Sequence, residues 1–170
     1  VFGSATLTCF LMQILTGILL ALVYVPSAGE AYQSLEHLNY VQPLGWYIRA
    51  LHGFFGNTMV FMLLCHLAQV VIFAAYKYPR ELTWVFGCIL FLCVLAMAFT
   101  GQVLRWDQDA FWGIGIGASM VGRIPLLGPY AVHMLLGGPI IGGETLTRFF
   151  ALHVFVLPLT IAGTIFIHVM

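Results

Sequence analysis

Four stretches of this chain, residues 2–25, 50–76, 82–104 and 148–170, run for about twenty residues or more with no charged side chain in their central part. A helix rises about 1.5 Å per residue, so about 20 apolar residues cross the ~30 Å hydrocarbon core of a bilayer. A charge at mid-bilayer is costly, and the charged residues here fall at span boundaries and in loops. The chain is therefore expected to span a membrane four times. Composition agrees, with 62% hydrophobic and only 7% charged residues, where soluble domains carry about 25% charged residues. Six basic and six acidic side chains cancel, which leaves no basic field for nucleic acid and excludes an acidic scaffold or disordered tail. Trp46, Trp84, Trp106 and Trp112 lie near the ends of the spans, at the headgroup level that suits an amphipathic indole. Cys9, Cys65, Cys88 and Cys93 sit inside apolar runs without metal or disulfide spacing and read as buried hydrophobes. The sequence opens and closes within hydrophobic stretches, so we expect a piece of a longer chain.

The connections differ in kind. A few residues around Tyr78–Glu81 join the second and third spans into an antiparallel hairpin. The loop from Arg105 to Thr147 is rich in Gly and Pro yet apolar, which predicts short interfacial helices near Asp109–Met120 and Tyr130–Leu136. A further short helix is expected around Ala31–Leu38. The Gly113–Gly117 repeat has no strand-turn-helix context, so it reads as packing or as a mobile loop and not as a nucleotide site. Lys77 and Arg80 are dense in the hairpin turn, while Arg49, Arg105, Arg123 and Arg148 are spread over the other side. Charge density favours a cytoplasmic hairpin turn and the raw count opposes it.

Four of the six histidines, His52, His66, His153 and His168, fall inside spans. An intramembrane ionisable group marks function by default, although a single one could be a helix–helix hydrogen bond. His52 and His66 are 14 residues apart, close to four turns and about 21 Å of rise. His153 and His168 are 15 apart, about 22 Å of rise with an angular offset of roughly 60°. The second and fourth spans run in the same direction, so His52 lies level with His153 and His66 with His168. Two facing imidazoles per level are too few for zinc. They suit a haem, which brings its own four nitrogens and an apolar body. With no CxxCH in the chain, the expectation is two non-covalent b haems. Gly3 and Gly17 on the first span, and Gly87 and Gly101 on the third, repeat the 14-residue interval and leave room for a flat macrocycle. Arg49 and Arg148 are candidate propionate anchors, with snorkelling an alternative for Arg148.

Together, GWYIRALHG (Gly45–Gly53), the His pair of the second span, PRELTWVFG (Pro79–Gly87), LRWDQDAFWG (Leu104–Gly113) and LTRFFALHVFVLP (Leu146–Pro158) resemble the amino-terminal, haem-bearing half of the cytochrome b family, in its b6-like form. The fold so implied is an all-α four-transmembrane-helix bundle, a single unit over 1–170, holding two haems, with short interfacial helices in the long loop. The resemblance implies that His52 and His153 hold the low-potential haem near the positive side of the membrane. His66 and His168 would hold the high-potential haem near the negative side, with the hairpin turn cytoplasmic. It implies a quinol-oxidation pocket at Phe99, Trp112, Gly113 and the Gly115–Pro125 stretch, including Ile116 and Pro125.

Three positions depart from the family pattern: Gln69 replaces an Arg, Gln102 a Tyr and Arg105 a Pro. Lys77, Arg80 or the Trp84 indole is expected to take part of the propionate role left by Gln69. Val1 aligns where b6 proteins carry a thiol for an additional covalent haem, and no such haem is expected. The implied function is electron transfer from quinol through two haems to a quinone, within a multi-pass complex of an energy-transducing membrane, bacterial cytoplasmic or thylakoid-type. The implied partners are a C-terminal cytochrome b half or subunit IV-like chain and an iron–sulfur or cytochrome c type acceptor, because no Pro-Glu-Trp-Tyr segment occurs here. The alternatives are a dihaem anchor of a formate dehydrogenase or hydrogenase, and a proton-relaying channel or transporter.

Overall fold

The computed structural model describes residues Val1–Met170 and is helical throughout. Its elements are α1 (Phe2–Ala21), α2 (Ala31–Tyr40), α3 (Gly45–Ile72), α4 (Glu81–Val103), α5 (Gln108–Val121), α6 (Gly128–Leu136), α7 (Gly143–Ala151), a π-helical turn (Leu152–Val156) and α8 (Leu157–Val169). Four rods are long and apolar enough to cross a membrane: α1, α3, α4 and the continuous α7–α8 rod, Gly143–Val169.

The spans shift relative to the apolar runs where local backbone chemistry intervenes. The third helix starts at Gly45, five residues before the expected boundary at residue 50, and carries Arg49 within its first turns. Its start is set by Leu44, which is left-handed at φ 59°, and by the approach of Gly45 to the Leu38 carbonyl, where a side chain would not fit. It ends at Ile72, four residues early, with Ala74 left-handed at φ 53° just beyond. The last rod begins at Gly143, ahead of the expected residue 148. There the Thr145 hydroxyl accepts from the Gly142 N–H at 3.0 Å and donates to the Leu136 carbonyl at 2.6 Å. This occupies backbone groups that a helix end otherwise leaves unpaired.

The π turn has a definite local cause and a consequence for the histidines. Pro158 has no N–H to donate and its ring crowds the carbonyl four residues earlier. Immediately upstream the ladder widens, with the Leu157 N–H bonding the Leu152 carbonyl. A π turn closes over five residues instead of four and so absorbs one residue. The 15-residue interval from His153 to His168 thus turns like a 14-residue one, and the offset expected from uniform α geometry is removed.

The bundle is built as two pairs: α1 packs along α3, α4 packs along the α7–α8 rod, and α3 meets α4 only sparsely. Cys9, Phe10, Met59, Leu90, Val94 and Ile161 form a buried core contributed by all four rods. Of the cysteines only Cys9 is buried, the others being half-buried, and all are free thiols. A second core of Val103, Ile114, Ala118, Leu136 and Phe149 seats α5 and α6 against α4 and α7. The expected interfacial helices are thus present. The Gly113–Gly117 repeat is helical within α5, not a mobile loop, and Gly117 gives room to the Phe99 ring. Asp107 caps α5 by accepting from the Ala110 N–H at 2.9 Å, and Arg105 pairs with Asp107 at 3.3 Å and Asp109 at 3.2 Å.

Beyond α1, Tyr24 donates its phenol to the Leu104 carbonyl at 2.7 Å and stacks on Phe150 at 5.9 Å. Burial pushes this phenol's pKa well up, which keeps it a donor. It ties the chain after α1 to the end of α4. Tyr24→Phe keeps the ring and loses the bond, and should lower stability by about 1 kcal/mol, read as a lower Tm in detergent. An unchanged Tm would remove this tether from the account.

Candidate cofactor site

His52 and His66 project from α3, His153 from the π turn and His168 from α8. The ring centroids of His52 and His153 are 6.3 Å apart, and those of His66 and His168 are 6.4 Å apart. Metal–imidazole bonds are about 2 Å long, so two imidazoles on opposite sides of one metal atom place their centroids about 6 Å apart. Both pairs have that spacing. Their planes are crossed at 73° and 85°.

The Nδ1 atoms show why Nε2 is the free donor. Thr16 Oγ1 lies 2.9 Å from His52 Nδ1 and donates its own hydrogen to the Met12 carbonyl at 2.7 Å, so it accepts from the ring N–H. Thr100 does the same for His153, at 3.1 Å from Nδ1 and 3.1 Å from the Met97 carbonyl. His168 Nδ1 donates to the Thr83 carbonyl at 2.8 Å. In these three the proton is held on Nδ1, which leaves the Nε2 lone pair for a metal. His66 Nδ1 is buried without a partner. The Gln13 side chain donates to the His52 carbonyl at 2.5 Å and braces α1 on α3.

The glycines stand opposite the rings. A Cβ built on Gly3 would lie 3.3 Å from His66 Cε1, on Gly17 3.3 Å from His52 Cε1, on Gly87 3.0 Å from His168 Cε1 and on Gly101 2.6 Å from His153 Cε1. Each glycine makes space first for the imidazole of its own packing partner. Nowhere do three or more His, Cys, Asp or Glu side chains converge as a metal cluster. With two donors per level, crossed at a spacing of 6.3 and 6.4 Å and each ring facing a glycine, the residues fit a metal that carries its own further ligands, as haem does.

A family model for cytochrome b/b6/petB matches residues 1–170. The chain belongs to the cytochrome b/b6 family. The cytochrome b6 of Auxenochlorella protothecoides is 39% identical over 167 residues, covering 98% of this chain and 78% of that protein. The cytochrome b6 of Prochlorococcus marinus strain MIT 9211 is 40% identical over 166 residues, covering 98% and 76%. Among solved structures, a chain of a hyperthermophilic respiratory Complex III superposes with a TM-score of 0.91 at 29% identity. The match covers 99% of this chain and 45% of that one, so the present chain spans less than half of that structure's chain.

The other cytochrome b/b6 positions singled out from sequence separate in space. Arg49 is half-buried one turn before His52 on α3. Arg148 is exposed, and its guanidinium lies against Gly137 where α6 ends. Lys77 and Arg80 are exposed in the α3–α4 turn, while Trp84 is half-buried beside Tyr76, with centroids 5.5 Å apart. Trp84 follows Thr83, whose carbonyl holds His168, and so it stands at the level of the His66/His168 pair. Gln69 is half-buried one turn beyond His66.

Of the quinol-pocket candidates, Phe99 packs on Gly117 and on Phe149 at 5.9 Å, with Gly113 beside it. Trp112 and Ile116 face outward on a cleft of about 490 Å³ shared with Gly115, Ser119, Met120 and Arg123. Pro125 is exposed in the α5–α6 turn and does not line that cleft. Sequence reasoning missed Gln13, Thr16, Thr83, Thr100 and the π turn. The available signals were a Thr directly before Gly at both 16–17 and 100–101, and Pro158 five residues after His153.

Proposed function

We propose that this chain is the electron-transfer subunit of a quinol-oxidising bc/b6f-type complex. One b haem would be held between His52 and His153 and a second between His66 and His168. The observation that carries this reading is the pair of imidazole couples at axial spacing, 6.3 and 6.4 Å, about 21 Å apart along α3. Bound haem supplies a reversible one-electron couple at each level, and two such couples span most of the hydrocarbon core. The residues of the chain orient the two sites. Thr16, Thr100 and the Thr83 carbonyl hold ring tautomers, Gln13 braces α1 on α3, and the glycines admit the rings. Arg49 is suited to a propionate at the His52/His153 level, and Trp84 with Lys77 or Arg80 to one at the other level, where Gln69 offers no charge. An electron driven toward the negative side works against about 2.3 kcal/mol per 100 mV of membrane potential. A higher potential at the His66/His168 level would offset part of that.

Quinol oxidation on the opposite side requires a general base within hydrogen-bond reach. The nearby carboxylates have other partners, with Asp107 capping α5 and Asp109, in the first turn of α5, paired with Arg105 at the surface. Glu144 sits in the first turn of α7. We therefore assign completion of the quinol site to a C-terminal cytochrome b half or subunit IV-like chain beside α4 and the Trp112/Ile116 cleft. An iron–sulfur or cytochrome c type acceptor would receive the second electron. The purified chain loaded with haem and mixed with quinol in a stopped-flow instrument should show only slow, inhibitor-insensitive haem reduction. Fast inhibitor-sensitive reduction, with delivery of the second electron to an added acceptor, would overturn the need for partners.

A further inference from the structure

The two histidine levels share a plan but differ in the residue before each glycine. At the His52/His153 level the dipeptides are Thr16-Gly17 and Thr100-Gly101, and at the His66/His168 level they are Phe2-Gly3 and Phe86-Gly87. The threonines are nearly fully buried, at 3% and 5% exposure. Each spends its hydroxyl hydrogen on its own helix, on Met12 or Met97, and presents a lone pair to the Nδ1–H of the facing histidine. The phenyl rings of Phe2 and Phe86 offer no acceptor. His168 finds one in the Thr83 carbonyl, and His66 Nδ1 has none. One level thus has two accepted Nδ1–H groups and the other has one.

We propose that Thr16 and Thr100 are positioning residues that set the redox asymmetry between the two levels, making the metal held by His52 and His153 the lower in reduction potential. This rests on the bis-histidine haem reading above. The mechanism acts through the imidazole. An acceptor on Nδ1–H raises the basicity of the ring, and so the electron density that Nε2 donates. Stronger donation stabilises the oxidised, more positive iron over the reduced one. In an interior of low dielectric such a hydrogen bond counts for more than in water. Two acceptors at one level against one at the other give a difference of fixed sign.

The test uses the full chain in its native membrane complex, with each haem's midpoint followed optically in a redox titration. Thr16→Val and Thr100→Val keep side-chain shape and remove the acceptor. Each should raise the midpoint of the His52/His153 haem alone, by about a tenfold change in the reduction equilibrium, ~59 mV for one electron. Thr16→Ser and Thr100→Ser keep the hydroxyl and should titrate as wild type. Phe2→Thr is the mirror experiment: it places an acceptor beside the unpartnered His66 Nδ1 and should lower the other midpoint.

Unmoved midpoints in Val variants that retain both haems would overturn the proposal, as would equal shifts of both haems or Ser variants behaving like Val. If the Val variants lose haem, Phe2→Thr decides, and an unmoved midpoint there overturns the proposal. A wild-type titration without two b-type couples would instead defeat the haem reading itself.

Discussion

Replacing His52 or His153 with alanine is expected to remove one haem and spare the other, taking the yield from about two to about one per chain. The two levels are built independently. Each has one histidine from α3 and one from the π turn or α8, at 6.3 and 6.4 Å. Four helical turns separate them, about 21 Å. Between them lies the buried core of Cys9, Phe10, Met59, Leu90, Val94 and Ile161, which depends on neither ligand pair and should hold the bundle together when one pair is broken. The remaining haem should keep its spectrum, since His66, His168 and the Thr83 carbonyl are untouched. Loss of both haems from the His52→Ala protein would show instead that the haems are a shared requirement of the fold.

Gly101→Ala should be nearly as damaging to the same level, although it adds a single methyl group. A Cβ at residue 101 would lie 2.6 Å from His153 Cε1, inside the 3.0 Å that real Cβ atoms essentially never breach. A flexible side chain could swing away, but this ring is held at Nδ1 by Thr100, the neighbouring residue on the same helix. Relief requires either the ring to give up its Thr100 bond and turn, or α4 to move away from the π turn, and both disturb the held position of His153. The other three glycines provide a graded comparison. Gly87→Ala meets His168 at 3.0 Å, while Gly3→Ala and Gly17→Ala meet their rings at 3.3 Å, which a shift of a few tenths of an ångström accommodates. Haem retention should therefore fall most in the Gly101 variant, less in the Gly87 variant and least in the other two. Equal retention across the series would contradict the close-contact account.

Much of this arrangement was legible in the sequence because the bilayer imposes a simple rule. Uncharged runs of twenty residues marked the four membrane-spanning rods, and the 14-residue intervals of His52–His66, Gly3–Gly17 and Gly87–Gly101 marked matching levels. Helix ends were less legible, since apolar residues continue past the point where the backbone turns, as at Ala74, or begin after it, as at Leu44. The π turn was hidden by the assumption of uniform α geometry, which made the 15-residue interval on the last rod look imperfect. Pro158 was the local sign that the ladder widens there. The threonine acceptors were hidden for a different reason. Thr in a membrane helix ordinarily bonds its own helix backbone, as Thr8 and Thr160 do here, and only the packing of α1 on α3 and of α4 on the last rod shows that Thr16 and Thr100 also reach a ring. In the long loop, its apolar character pointed to α5 and α6, but not to the packing of Phe99 against Gly113 and Gly117 while Trp112 and Ile116 face the cleft.

The most direct test of the central claim, two b haems on four histidines, is the stoichiometry and attachment of haem in the purified protein. Acid–acetone extraction followed by a pyridine haemochrome assay should recover about two b-type haems per chain, with none left on the polypeptide. One haem or none per chain, or haem that stays with the protein after extraction, would contradict it.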